Sequence, residues 1–304
     1  MKPQNRMSSN LTGILLAVSS ALGFSTLALW GKFAVRLGFD SSSLNVYRFL
    51  FAALVLLALG FGRRTPRALV GKLLLFGLWY ASNTWLYFQA LGKISASVAT
   101  ILVYLAPAFV IVIRWALGHR PNSRQLQALG LVSIGLLVIV GLPGPRDANA
   151  LGLLLAASAG AFYGAYLVAS ERWLGHVEPM QQTTFNGFGT ALGFTVFALL
   201  GGGLQFPSDI NHWGLIAGIV TFSTLIALPT LFASIKRIGA ARASILSSLE
   251  PVFATLLAWF VLGEPPSVTN IIGGLLILSG AILAQFSPAE TGIKSKTASS
   301  AGQL

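Results

Sequence analysis

Ten runs of about 20 mostly apolar residues follow one another along this chain, with only short polar or turn-forming connections between them. They cover 12–34, 43–61, 70–90, 95–117, 125–142, 151–171, 181–201, 213–235, 239–262 and 269–286. In lipid each backbone N–H and C=O must be satisfied within the chain, so runs of this length read as membrane-crossing helices. An all-α membrane protein with ten transmembrane helices is expected. Of the residues, 55% are apolar and only 9% charged, against about 25% charged in a soluble domain. A water-soluble enzyme is excluded on that ground. Helix-breaking chemistry marks the gaps at Arg63-Arg64-Thr65-Pro66, His119-Arg120-Pro121-Asn122, Leu142-Pro143-Gly144-Pro145 and Glu264-Pro265-Pro266. The first run follows Lys2 and Arg6 but is long for a signal peptide, and it reads as a retained helix. Residues 1–11 are expected as a cytoplasmic tail and 287–304 as a disordered one.

The net charge of +12 does not indicate nucleic acid, because the basic residues form short clusters between apolar runs. Alternating crossings place 15 of the 20 Lys and Arg on or near one side and four on the other, with Arg48 inside a run. By the positive-inside rule both termini of the multi-pass chain are cytoplasmic. With no Cys, a thiolate metal site or cysteine nucleophile is excluded. His119, His176 and His212 are scattered between runs, so no metal site and no cofactor are expected. A P-loop is absent, which argues against an ATP-driven pump. The stretch from Gly187 to Gly193 lacks the third-glycine spacing and preceding strand of a dinucleotide fingerprint.

An internal repeat organises the whole chain. Aligning Pro107 with Pro251 gives ten identities in 28 positions, among them Ile94/Ile238, Ala96/Ala240, Leu105/Leu249, Phe109/Phe253 and Trp115/Trp259. A second match pairs the stretch from Gly13 to Ala17 with that from Gly152 to Ala156. Each copy carries five runs, an odd number, so the copies enter the membrane from opposite sides as an inverted five-plus-five repeat. Residues 12–142 form the first copy, 143–150 an external linker and 151–286 the second.

With Arg48-Phe49 early in the second run, and the matched stretches ending in Pro107 and Pro251 followed by Gly263-Glu264, the chain resembles the EamA-type exporters of the drug/metabolite transporter superfamily. The resemblance covers residues 10 to 286 and implies a ten-helix inner-membrane carrier working by alternating access, exporting amino acids or other metabolites. One departure stands out: His119-Arg120 occupies the place where the second half has Gly263-Glu264, so the halves are not expected to contribute equally.

The candidate chemistry is sparse. Glu250 is the one acidic residue deep in a run, next to the helix breaker Pro251 and close to Ser244, Ser247 and Ser248. It reads as a counter-charge for a substrate amine or a proton carrier, with a helix-packing Glu as the plain alternative. Tyr80, Asn83, Thr84 and Tyr87 share one helix face by their spacing and suit a cavity wall, with Trp79 and Trp85 facing elsewhere. Interhelical hydrogen bonding would explain the same stripe. Tyr104, Tyr163 and Tyr166 are weaker members of that lining. Arg48, about 7 Å inside its run, is expected to snorkel to the surface as an anchor; the sharper alternative is a substrate carboxylate contact or an external gate. Pro107 and Pro251 are expected helix breaks. Gly160 and Gly164, Gly189 and Gly193, and Gly214 and Gly218 read as close helix contacts.

The function expected is secondary transport, the export of a small organic metabolite, amine or amino acid favoured, with a proton or counter-substrate as the coupled partner and membrane lipids as surroundings. A flippase for a lipid-linked sugar or headgroup is the alternative within transport; a membrane sensor or scaffold is the alternative outside it. An intramembrane enzyme is disfavoured because Glu250 has no His, Asp or Cys companion in the runs. The oligomeric state is left open.

Overall fold

A computed structural model of the chain describes residues 3–141, 147 and 149–286, with side chains from residue 10 onward. Among these residues the regular elements are helical: α1 (Pro3–Arg36), α2 (Ser41–Ala58), α3 (Arg67–Leu91), α4 (Ala96–Tyr104), α5 (Ala106–Ala116), α6 (Ser123–Val140), α7 (Ala150–Leu174), α8 (Pro179–Leu200), α9 (Ile210–Val220), α10 (Ala227–Ser247), α11 (Glu250–Leu262) and α12 (Val268–Gln285), with a π-helical turn, Thr221–Ile226, joining α9 to α10. The expected tail at 1–11 is helical from Pro3. The turn at Leu142 to Pro145, Arg146 and the tail at 287–304 lie outside the described residues.

Among the described residues, eight helical stretches are long and apolar enough to cross a membrane: Asn10–Arg36, Ser41–Ala58, Ala96–Ala116, Ser123–Val140, Ala150–Leu174, Pro179–Leu200, Ile210–Ser247 and Val268–Gln285. The difference from ten has local causes. The α3 helix carries Asn83, Thr84 and Gln89 and falls short in hydropathy. The Ile210–Ser247 stretch is not one rod, because Gly239 at φ 82°, ψ 161° reverses the backbone inside α10 in a region open to glycine and hostile to other residues. Beyond Gly239 the chain forms the short helix 240–247 and then α11, 13 residues long on its own.

Breaks inside the runs follow proline chemistry. Pro107 and Pro251 fall in the first turns of α5 and α11, where a missing N–H costs nothing, and the preceding helices stop at Tyr104 and Ser247. Pro229 in α10 removes the donor for the carbonyl four residues earlier, and the helix ahead of it widens into the π-helical turn. Side chains from other helices satisfy that turn: Ser20 Oγ donates to the Ala227 carbonyl at 2.9 Å, and Thr26 and Ser223 share a 2.7 Å hydrogen bond.

Helices in lipid gain from close packing rather than from leaving water, and glycine permits the closest approach. Gly135 on α6 and Gly273 on α12 face each other so tightly that a Cβ on either would stand 2.5–2.6 Å from the other's carbonyl oxygen. Gly13 on α1 packs on Arg237 and Ile238, while Gly152 on α7 packs on Lys93 and Ile94. Gly160, Gly164, Gly189, Gly193 and Gly218 are likewise in contact, whereas Gly214 has open space around it, against the expected close contact there.

The connections gather at two ends. At the end that carries Phe286 and the start of α1, Thr65 meets Gln181, Lys72 meets the Trp173 carbonyl, and Lys236 meets Glu178. At the far end, Gln205 bonds to the Gly38 carbonyl and accepts from Asp40 N, and Lys32 pairs with Glu264.

Candidate functional site

A cavity of about 520 Å³ lies where α1, α3, α4, α7 and the break between α10 and α11 converge. Its wall includes Tyr80, Asn83, Thr84, Tyr87, Tyr104, Pro107, Tyr163, Ser244, Ser247, Ser248 and Glu250. Helical spacing brings the four α3 residues there together, as an i, i+3, i+4, i+7 set occupies one face. Beyond these the wall continues up to Gly31 and Ser41, both exposed at the far end, and the cavity opens there.

Glu250 stands at the first residue of α11, where the helix dipole and free N–H groups stabilise negative charge in the middle of a run. Tyr104, the last residue of α4, lines the same cavity as Glu250. The two breaks thus meet at the site, one contributing an acid and the other a phenol. Asn83 is only 8% exposed, and its Oδ1 has no hydrogen-bond partner. Tyr87 shares a 3.0 Å hydrogen bond with Thr100, and the Tyr80 ring lies edge-on to Tyr163 with centroids 6.3 Å apart. One carboxylate, hydroxyls and aromatic faces make a surface that can receive cationic or zwitterionic N–H donors.

Three nominated residues lie off the wall. Tyr166 is buried on the termini side of the cavity, accepting from Asn186 Nδ2 at 2.8 Å and packed on Phe76, Tyr80 and Phe232. Pro251 shapes the break without facing the space. Arg48 does not snorkel. It is 4% exposed, donates from Nε to Thr224 Oγ1 and from Nη2 to the Ser223 carbonyl, both at 2.8 Å, and lies 4.6 Å from the Phe49 ring centroid. The π-helical turn supplies the acceptors that the membrane surface was expected to supply, and Arg48 comes close enough to the Glu250 carboxylate for the two charges to interact. Trp85 lies outside the cavity, stacked on Phe197 with centroids 5.7 Å apart.

Sequence reasoning did not single out Phe24, Asn45, Phe88 and Thr100 on the wall. Two of them carried a signal: Asn45 lies one helical turn before Arg48, and Thr100 matches Ser244 in the repeat register. It also passed over Glu171, at the end of its run. That carboxylate is 6% exposed, paired with the 2% exposed Arg114, and accepts from Ala240 N at 3.2 Å. No group of His, Asp and Glu among the described residues is arranged to hold a metal.

The model of the EamA-like transporter family matches the chain twice, over residues 11–141 and 150–286. A protein of Archaeoglobus fulgidus named Uncharacterized transporter is 28% identical over 255 residues, covering 83% of this chain and 89% of its own length. Uncharacterized transporter YcbK of Bacillus subtilis is 26% identical over 291 residues, 89% and 91% of the two chains. Uncharacterized inner membrane transporter YicL of Salmonella typhimurium is 28% identical over 309 residues, 91% and 96% of the two. A solved crystal structure shares the fold with a TM-score of 0.77 at 23% identity, covering 90% of this chain and 96% of that one. The helical architecture, the cavity between its halves and the double match agree, and the chain belongs to the EamA-like transporter family of membrane transporters.

Proposed function

We propose that this chain is an inner-membrane secondary carrier that exports a small organic amine or zwitterionic amino acid by alternating access. The observation that carries the reading is Glu250, a single carboxylate at a mid-helix break, set among aromatic rings and beside the unpartnered Asn83 oxygen. An ammonium there meets the carboxylate, and over a desolvated tyrosine face it gains about 2 kcal/mol. A phosphorylated substrate finds no matching cation on the wall, since Arg48 is committed to the π-helical turn.

The architecture proposed is ten crossings in two inverted halves with both termini cytoplasmic. Supporting it, the contacts of one half recur in the other with their roles exchanged. Gly13 packs on Arg237 and Ile238 as Gly152 packs on Lys93 and Ile94, and the repeat register makes these pairs equivalent. In this orientation the cavity opens outward.

Counterflow in proteoliposomes against amines, amino acids and sugar phosphates tests the reading. Amines or amino acids should exchange with the native protein, and Glu250→Gln, monodisperse in detergent, should lose that exchange or its pH dependence. Stronger inhibition by sugar phosphates, or native rates in Glu250→Gln across pH 5 to 8, would overturn it.

A further inference from the structure

The two ends of the molecule differ in chemistry, although the repeat makes them equivalent. The register pairing Gly13 with Gly152 also pairs Gly31 with Ser170 and Lys32 with Glu171. The register pairing Pro107 with Pro251 pairs Ala96 with Ala240 and Arg120 with Glu264. An acid in one half thus stands opposite a base in the other at both places, and each end has its own ion pair between the halves: Arg114 with Glu171 at the termini end, Lys32 with Glu264 at the far end.

The exchange of sign has a mechanical consequence. The Glu171 carboxylate accepts from Ala240 N, the first N–H of the helix 240–247, and at the same time holds Arg114 of α5. A helix N-terminus attracts negative charge, so Glu171 draws α7 onto the 240–247 helix and shuts the space between them. At the far end the equivalent residue is Lys32. An ammonium can only donate, and the N-terminus of α4 offers further donors and a positive dipole end. The cap there is supplied by Ser95 and Asp147 instead. Lys32 turns outward to Glu264 at 2.6 Å, both side chains about half exposed, and the cavity stands open between α1 and α4.

We propose that Glu171 is a one-sided latch, holding the carrier shut at the termini end in its resting state, with no counterpart at the far end. This rests on the alternating-access reading above. Glu171 Oε1 has no partner while the latch is shut, and hydration of that oxygen on opening makes the latch reversible.

The chain has no Cys, so single-cysteine reporters label without background. Gly31→Cys and Ser170→Cys occupy equivalent positions, one on the open cavity wall with free space for a side chain and one buried beside a small gap near Gln182. Labelling of the full-length protein in proteoliposomes with N-ethylmaleimide is measured in the native, Glu171→Gln and Glu171→Ala backgrounds. The glutamine keeps an acceptor for Ala240 N and loses the charge; the alanine loses both. Ser170→Cys should label faster and Gly31→Cys slower, in the order native, Gln, Ala, with a change of about tenfold or more in Glu171→Ala. Unchanged rates at both reporters, or a rise at both together, which is loosening rather than exchange of access, would overturn the latch. Opposite movement of the reporters with no counterflow in the native protein would leave the latch and remove the transport reading; counterflow with unmoved reporters would do the reverse.

Discussion

Replacing Arg48 by methionine keeps most of the side-chain length and removes the charge and every donor. The structure sets the cost. Two hydrogen bonds of 2.8 Å, to Thr224 Oγ1 and the Ser223 carbonyl, are lost, and both acceptors remain in a π-helical turn that water does not reach. Charge-assisted hydrogen bonds contribute about 1.5–3 kcal/mol each. Part of this is regained because the cation no longer has to be desolvated, and the net figure for removing one member of a buried charged set is about 3–5 kcal/mol. At about 2–4 °C per kcal/mol the melting temperature in detergent should fall by at least about 6 °C. Arg48→Lys should recover only part of the loss, since a single ammonium cannot hold both acceptors in the plane of a guanidinium. The double variant Arg48→Met with Glu250→Gln should lose less than the sum of the singles, because removing both charges leaves neither uncompensated. Thermal unfolding followed by size-exclusion chromatography decides it. A methionine variant melting within about 2 °C of native, or strict additivity in the double variant, would refute the assignment of Arg48 as a buried staple and counter-charge.

At the α6–α12 crossing, Gly135→Val brings a Cβ to 2.6 Å from the Gly273 oxygen where about 3.4 Å is ordinary contact, so the helices must part by about 0.8 Å; overpacking of this kind costs about 1–3 kcal/mol and should appear as a lowered melting temperature. Tyr80→Ala and Tyr87→Ala should raise the half-saturating substrate concentration in counterflow more than Trp85→Ala, whose ring stacks on Phe197 away from the cavity. The N–H groups of His212 and Asn211 hold the exposed Asp209 carboxyl below its usual range. The stabilisation from that cap is therefore fully present above the ordinary carboxylate pKa and lost as pH falls through the lowered value. Amide protection at His212 should drop below about pH 4 in the native chain, and stay flat with pH in Asp209→Asn.

Positions of the helices were legible because lipid enforces a simple rule on length and polarity, and the runs read from the sequence fall within a few residues of most helices found. Prolines at 107 and 251 announced their breaks for the same reason, each acting through its own backbone. The features that were not legible depend on partners distant in sequence. Arg48 looked like a surface anchor from its depth alone, and only the approach of residues 223 and 224 makes a buried site for it. The π-helical turn is tolerable because Ser20, Thr26 and Arg48 arrive from α1 and α2 to serve its polar groups, and no local pattern records that. Tyr166 sits three residues from Tyr163 on one helix, yet Asn186 draws it into the closed side of the cavity. Gly214 fits the same spacing as Gly189 and Gly193 but has no helix against it.

The positions that match between the two halves and those that differ divide the work. Matched residues make the scaffold: Pro107 and Pro251 break the helices, Gly13 and Gly152 admit the crossing chains, and the alanines at 96, 99, 240 and 243 keep the helices beside the cavity slim. Where the register pairs unlike residues, chemistry appears. Ala106 stands opposite Glu250, Tyr104 opposite Ser248, and Phe24 opposite Tyr163, and all six lie on the cavity wall. A two-fold site built from identical halves would present two carboxylates or none. Two carboxylates close together cannot both stay charged without a cation between them, and the buried cation nearby, Arg48, is held by the π-helical turn. Divergence at the break positions avoids this by leaving one acid, with an alanine at its matched position and a phenol two residues before that alanine on the same cavity wall. Lys32 opposite Glu171 extends the same division from the cavity to the two ends of the helices, where only the carboxylate can accept from a helix N-terminus.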